Sequence, residues 1–315
     1  MRTAIIGGTG FLGQALTRRL AAAGHTVVWL SRDPATAAQA MRETGATEVY
    51  RFVQERIDGE WASALATCDA VVNLAGSSIG DRWTPRTRAR IVASRVDLTR
   101  RVVDAMSAER ASDPQDQQEV LPRALIQISG IGVYGDRGDD PLTEDEPPGT
   151  DWLSRVCWLW EEQAMHAVTL DIRVVVLRTG LVLGEEGLLE RFLMPMRLFA
   201  GGPVGTGKQW MPWIHVDDVV DVLAQAVVDE RMSGAYNNAS PNPTTMREFT
   251  ATLGRVLHRP SWARVPEPAL RLAVGPGAPA YVSSQRPDVS RLLDTGYEFR
   301  FPELEPALED LLGRG

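Results

Sequence analysis

Short runs of consecutive apolar residues alternate, along the N-terminal half of the chain, with longer stretches in which apolar positions recur at helical spacing. Thr3 to Gly7 is such a run and ends in glycines. Phe11 to Ala23 follows, with Leu12, Ala15, Leu16 and Leu20 at the spacing of one helical face, and Gly24-His25 stops it. Thr26 to Leu30 is a second buried-type strand. Strand, turn, helix and strand in this order lay two parallel strands beside a crossover helix. The pattern repeats: strands at Ala70–Leu74, Ala124–Ser129 and Arg173–Leu177, helices at Arg86–Met106 and Trp152–Val168. Strands without polar alternation are buried on both faces, so the expectation is a parallel sheet covered by helices on both sides.

After Gly180 the texture changes. Pro195, Gly201-Gly202-Pro203 and Gly205-Thr206-Gly207 break up the chain. Trp213 to Val216 reads as a short strand, Asp217 to Val228 as a helix with acids in its first turn, and Arg247 to Leu257 as another helix. The Arg259–Tyr281 stretch is rich in Pro and Ala, and the tail from Ser284 to Gly313 holds short helices around Gly296-Tyr297-Glu298-Phe299. Ala111 to Gln118 is polar and reads as a surface loop. The division expected is a nucleotide domain over 1–180, with 209–239 returning to it, and a smaller substrate-side domain over 181–208 and 240–315.

Composition narrows the function classes. The chain has 315 residues, 44% of them hydrophobic, as in ordinary globular domains. No run approaches the ~18 apolar residues of a membrane span, and no leader pattern opens the chain. A formal net charge of -8 disfavours nucleic acid as a partner. Cys68 and Cys157 form neither a CxxC pair nor a His-rich cluster. No metal site is expected, and a reducing cytoplasm is the expected setting, with a small molecule as ligand and a monomer or homodimer as assembly.

The glycines carry the first chemistry. Gly8, Gly10 and Gly13 satisfy GxGxxG; Gly7, Gly10 and Gly13 satisfy GxxGxxG. They lie between a strand and a helix, with a second strand beyond, which is the setting that cradles a pyrophosphate at a helix N-terminus. The fold expected is therefore a Rossmann-type doubly wound parallel sheet with a smaller C-terminal domain. Around the phosphates fall Gly7, Thr9, Gly10, Phe11, Leu12 and Gly13. The second strand ends in Leu30-Ser31-Arg32-Asp33. Arg32 suits a ribose 2′-phosphate with Ser31 as a neutral donor, which favours NADP(H) over NAD. A strand one residue longer would instead turn Asp33 toward the ribose, and Arg32 would be a solvated loop residue.

These residues resemble the extended short-chain dehydrogenase/reductases, and among them the epimerase-family proteins of the SDR39U1 and YfcH type. The similar stretches are the loop Gly7–Gly13, Asn73-Leu74-Ala75-Gly76, Arg82-Trp83-Thr84, Ser94-Arg95, Val133-Tyr134-Gly135, Trp160-Glu161-Glu162, Leu177-Arg178-Thr179-Gly180, Gly201–Gly207 and Trp213–Asp218, with a tail that resembles that subgroup's C-terminal domain of unknown function. The resemblance implies NADP(H) as cofactor and a sugar-nucleotide-like substrate. It places Asn73, Leu74, Ala75, Gly76 and Arg95 in the cofactor site.

The superfamily's acid/base pair is Tyr-x-x-x-Lys, and this chain cannot form it. Lys208 is its only lysine, and the residue four before it is Val204. None of the five tyrosines has a basic residue four positions on. Counting from Val133-Tyr134-Gly135, the expected tyrosine falls at Leu153 and the lysine at Cys157. Any proton transfer then falls to other groups at the carboxyl edge of the sheet: Ser129, Tyr134, Cys157 and Glu161. Each also has a structural reading, as a packing or capping residue. Three functions follow, in this order: an NADP(H)-dependent oxidoreductase or epimerase of a small polar substrate, a cofactor-binding module without turnover, or a lyase or isomerase that keeps the nucleotide structurally. His215 before two acids is expected to be structural, and Trp210 and Trp213 either line a cleft or lie in the core.

Overall fold

A computed structural model describes residues 1–53, 59–112, 122–184 and 188–313. Its central layer is a seven-stranded sheet in which every neighbouring pair is parallel. The strands are β1 (Arg2–Ile6), β2 (Thr26–Ser31), β3 (Glu48–Arg51), β4 (Ala70–Asn73), β5 (Ala124–Gly130), β6 (Arg173–Thr179) and β7 (Gly234–Asn238). Their spatial order is β7-β6-β5-β4-β1-β2-β3. The chain winds outward from β1 to β3, then returns to β4 on the other side of β1. This reversal opens a crevice at the carboxyl ends of β1 and β4.

The unbroken apolar runs of the strands are explained by two cores. Ile5, Val27, Trp29, Val72, Ile126, Val175 and Leu177 face one side. There they meet α1 (Phe11–Ala22) and α8 (Val216–Val228), the eighth helix of the chain. Ala4, Ile6, Val28, Leu30, Val71, Leu125, Val174 and Val176 face the other. They pack against α3 (Glu60–Leu65), α5 (Leu98–Ser112) and α6 (Trp152–Met165). Each Val, Leu or Ile among them contributes about 1.5–3 kcal/mol on burial. Trp29 ties the layers: fully buried, its indole donates to Thr17 Oγ1 of α1 at 2.8 Å.

Several elements differ from the pattern reading. The long helix expected over Arg86–Met106 is α4 (Pro85–Val92), one π turn at Ala93–Asp97, and α5. A single widened turn barely shifts the apolar spacing, so the sequence pattern does not register it. The helix α5 runs to Ser112, so the start of the polar stretch Ala111–Gln118 is helical; positions 113–118 lie outside the described residues. The strand Trp213–His215 does not join the main sheet. It pairs with Leu181–Leu183 instead, because Gly180 turns the chain against Pro212, whose carbonyl accepts from Leu181 N–H at 2.7 Å. The strand that returns is β7, alongside β6. Strand β3 and α2 (Pro34–Thr44) were not anticipated; β3 is four residues, Glu-Val-Tyr-Arg, with too little apolar run to signal itself.

The segments after Gly180 fasten onto α8. α7 (Leu188–Arg197) precedes the glycine-rich stretch in the chain, α9 (Met246–Val256) and α10 (Glu267–Val274) follow it, and the C-terminal helix Leu304–Gly313 packs on α9. Asp218, wholly buried, accepts from the Tyr297 hydroxyl at 2.8 Å and from the amides of Arg300 and Phe301 at 2.7 and 3.1 Å. His215 caps α8: its Nδ1 accepts from the Asp217 amide, its Nε2 lies 3.3 Å from the Asp310 carboxylate, and its ring lies on Phe301. His215, through Asp310 and Phe301, thus ties the start of α8 to the tail. No helix of the described residues is long and apolar enough to cross a membrane.

Candidate functional site

The crevice between β1 and β4 is lined first by the glycine loop. Gly7 adopts a positive φ of 87°, and its Cα lies so close to the Leu74–Ala75 backbone that an added Cβ would sit 3.2 Å from it. Gly13 seats α1 on the loop, where a Cβ would fall 2.3 Å from the Gly7 carbonyl. Gly10 N–H donates to that carbonyl at 3.0 Å and Gln14 Nε2 donates to the Thr9 carbonyl at 2.9 Å, which fixes the turn. At Gly10 the helix begins with no side-chain cap and no acid in its first turn. Its leading amides therefore point outward with a partial positive charge and no anion of the protein's own. A pyrophosphate fits this cradle. Phe11 packs beside Gly184 and Leu12 against the core, so their side chains hold the loop in place.

Strand β2 ends at Ser31, with Arg32 just beyond it. Asp33 does not face the crevice: it caps α2, accepting from Thr36 N at 3.3 Å and Thr36 Oγ1 at 2.5 Å. Those bonds hold its carboxyl below the usual range, with Arg51 adding to the effect. Ser31 Oγ sits in the same turn, 3.2 Å from the Asp33 amide and carbonyl. Arg32 is exposed and has no ion-pair partner among the described residues. Arg51, which sequence reasoning missed, ends β3 in register with Ser31 and adds a second cation there.

The loop after β4 forms the opposite wall. Asn73, fully buried, donates to Thr99 Oγ1 and Gln127 Oε1 at 2.8 and 2.9 Å and accepts from Ala75 N at 3.2 Å. Leu74 N donates to the Ile6 carbonyl, closing the wall onto β1. Ser77 is held by the π turn: its amide donates to Ser94 Oγ at 2.9 Å and its carbonyl accepts from Arg95 Nη1 at 2.9 Å. The Arg95 guanidinium lies 5.0 Å from the Trp160 ring centroid and abuts Gly76, where an added Cβ would fall 3.1 Å from Cζ.

At the carboxyl ends of β5 and β6 the polar groups turn inward. Ser129 Oγ donates to Glu161 Oε1 at 2.7 Å. Arg178, in register with Ser129, clasps the same carboxylate from Nε and Nη2, closest at 2.9 Å. Its Nη1 donates to the Tyr134 hydroxyl at 2.9 Å, which in turn donates to Asn237 Oδ1 at 2.7 Å. Asn237 completes the set through Leu142, Glu144 and Asp288. Glu161 and Arg178 are 4% and 5% exposed and Tyr134 is wholly buried. Burial pushes the Tyr134 phenol up to about 12. Cys157, also buried, has its thiol pushed up to about 12 by desolvation, with Glu161 adding to it. Leu153 and Cys157 pack on Gly132 and Gly130, filling with carbon and sulfur the two positions counted for tyrosine and lysine. The structure thus brings Ser129, Tyr134 and Glu161 into one network and leaves Cys157 beside it in a small apolar cluster. Sequence reasoning missed Arg178 and Asn237 as its hubs; the available signal was an arginine inside the apolar strand Val174-Val175-Val176-Leu177-Arg178.

A second opening lies against the C-terminal segments. Asp136, Asp139, Lys208, Gln209, Arg271 and Ser284 are among the residues lining a cleft of about 550 Å³. Trp210 stands near it, its indole on Asp139 Oδ1 at 2.9 Å and Arg286 over its ring, whereas Trp213 is core.

The chain was compared with known proteins. Residues 3–238 match the model of the NAD dependent epimerase/dehydratase family, and residues 265–311 match a domain of unknown function, DUF1731. An epimerase family protein of Bacillus subtilis, YfhF, is 38% identical over 314 residues, covering 99% of this chain and 98% of that protein. The crystal structure of the human epimerase family protein SDR39U1 (isoform 2) with NADPH has a TM-score of 0.83 and 31% identity, covering 99% of each chain. A structure of MoeE5 with UDP-glucose and NAD is similar in fold, with a TM-score of 0.77 at 21% identity over 99% of this chain and 98% of that one.

Proposed function

From the premise that the chain belongs to the NAD dependent epimerase/dehydratase family, we propose that it is an NADP(H)-dependent oxidoreductase or epimerase of a small polar substrate of the sugar-nucleotide type. The observation that carries this reading is the uncapped, acid-free start of α1 over the Gly7–Gly13 cradle, with Arg32 exposed just past β2. The human relative crystallised with NADPH supports the same choice of cofactor. In this reading the loop amides hold the pyrophosphate, Arg32 and Ser31 read the 2′-phosphate, and Asn73 to Gly76 with Arg95 position the nicotinamide end. The nucleotide supplies hydride transfer when bound. The division of labour assigns 1–180 and 209–239 to the nucleotide and 181–208 and 240–315 to the substrate.

Among the residues singled out for chemistry, Ser129, Tyr134 and Glu161 act as positioning groups in this proposal. Their hydrogen-bonding capacity is taken up by Arg178 and Asn237, and they rigidify the floor beneath the substrate. Cys157 contributes volume, not a thiolate. A second reading, a cofactor-binding module without turnover, is favoured by that same filled acid/base position.

One assay separates them. The protein is incubated with NADPH and a panel of sugar nucleotides and small carbonyl compounds, and loss of reduced-nicotinamide absorbance is followed together with epimer formation by NMR. Steady turnover of any member supports the enzyme. Tight NADPH binding with no turnover across the panel contradicts it and leaves the module.

A further inference from the structure

Strand β3 runs parallel to β2 with Arg51 opposite Ser31, and the Phe52 amide donates to the Ser31 carbonyl at 2.8 Å, which fixes that register. Along each strand successive side chains alternate between the two faces of the sheet. Val27, Trp29 and Val49 lie in the core on the α1 side; Val28, Leu30 and Tyr50 lie in the core on the other. Ser31 and Arg51 continue the first set. Both therefore stand at the carboxyl edge of the sheet, on the face that carries α1 and the glycine loop. Neighbouring strands are only about 4.8 Å apart, so an arginine side chain on β3 spans to the end of β2. Arg32 leaves from the bend that follows Ser31. Two cations thus border one turn from two different elements.

Neither cation is spent inside the fold. Arg51 is exposed, and its side chain has no hydrogen bond or ion pair among the described residues. Glu48, the acid on its own strand, alternates to the opposite face and is held there by the Arg2 guanidinium and the Tyr50 hydroxyl. Asp33 stands close enough for the Arg51 charge to add to the Thr36 bonds that hold its carboxyl low, but it caps α2 and does not pair with Arg51. A phosphate monoester carries close to two negative charges at neutral pH, more than one guanidinium balances. We propose that Arg51 and Arg32 form a two-arginine clamp on the ribose 2′-phosphate, so that NADP(H) is selected by the edge strand β3 as well as by the residue after β2. Each guanidinium offers the planar pair of donors that phosphate oxygens accept. The neutral 2′-hydroxyl of NADH gives neither charge a partner. This inference deepens the cofactor reading above and rests on it.

The test is calorimetric titration of the full chain with NADPH and with NADH at about 0.15 M salt, where charges more than about 8 Å away are screened. Arg51→Gln is expected to weaken NADPH by about fivefold to tenfold and to leave NADH within about twofold. Arg51→Lys keeps the charge and is expected to hold NADPH within about threefold of the wild type. Arg42→Gln removes an exposed cation from the last turn of α2, far from the turn after β2, and is the control for bulk charge. Thermal unfolding without ligand checks that the variants fold; with no side-chain partner to lose, both Arg51 variants are expected to unfold as the wild type does. Unchanged NADPH affinity in Arg51→Gln overturns the inference and leaves Arg51 as a charge that guards an edge strand. So does an equal loss for NADH, or a loss no greater than that of Arg42→Gln. Equal affinities of the wild type for the two nucleotides would remove the cofactor reading itself, a different result from any of these.

Discussion

Two polar regions share the carboxyl edge of one sheet and are built on opposite plans. At β1 and β2 the donors are left open: the first turn of α1 has no side-chain cap, and Arg32 has no carboxylate partner among the described residues. At β5 and β6 the donors are closed on one another: Ser129, Tyr134, Glu161, Arg178 and Asn237 are buried and mutually hydrogen-bonded. An open donor is a place for a ligand; a closed one is a place where removal leaves a partner stranded. The difference teaches that position at the functional edge of a Rossmann sheet is not by itself a functional role. Satisfaction of hydrogen-bonding capacity is the sharper criterion.

Breaking the closed region should cost most. Arg178→Ala strands the buried Glu161 carboxylate, and we expect a stability loss of about 3–5 kcal/mol in denaturant titration. A loss near zero would mean the network is not buried as described. Breaking the open region should leave stability alone and move affinity: Arg32→Ala is expected to weaken NADPH by roughly tenfold or more while NADH changes little. Equal losses for both nucleotides would return Arg32 to the role of a solvated loop residue. Tyr134→Phe sharpens the contrast. It leaves Asn237 Oδ1 and one Arg178 bond unmet, for about 1–3 kcal/mol of stability, with any turnover reduced only through that loss. Abolished turnover at unchanged stability would make Tyr134 a proton donor. The smallest effect is at Cys157. A thiol with its pKa at about 12 stays protonated through neutral pH, so iodoacetamide labelling of the folded protein should rise only at strongly alkaline pH. An inflection near about 8.5, the ordinary thiol value, would contradict its burial.

The open region was the more legible in sequence. Glycines needed for a positive φ at Gly7 and for helix contact at Gly13 have no cheap substitutes, so the loop announces itself locally. The identity of the residue past β2 was likewise local, though only the structure shows Asp33 spent on capping α2. The closed region was half legible. Ser129, Tyr134 and Glu161 stood out as polar residues at strand and helix ends. Their partners Arg178 and Asn237 come from elements 17 and 103 positions away from Glu161 and Tyr134, respectively, and register alone unites them. The π turn that aims Arg95 was invisible for a different reason: one widened turn leaves the apolar period nearly intact. Strand β7 was hidden by its polar end, Asn237-Asn238, whose side chains bond inside the fold and not to solvent.

The central claim is that the Gly7–Gly13 cradle and Arg32 select NADP(H). Calorimetric titration of the wild-type protein with NADPH and with NADH, at one salt concentration, tests it most directly. The account predicts that NADPH binds at least about tenfold more tightly, a difference of about 1.4 kcal/mol. Equal affinities, or a preference for NADH, would contradict it.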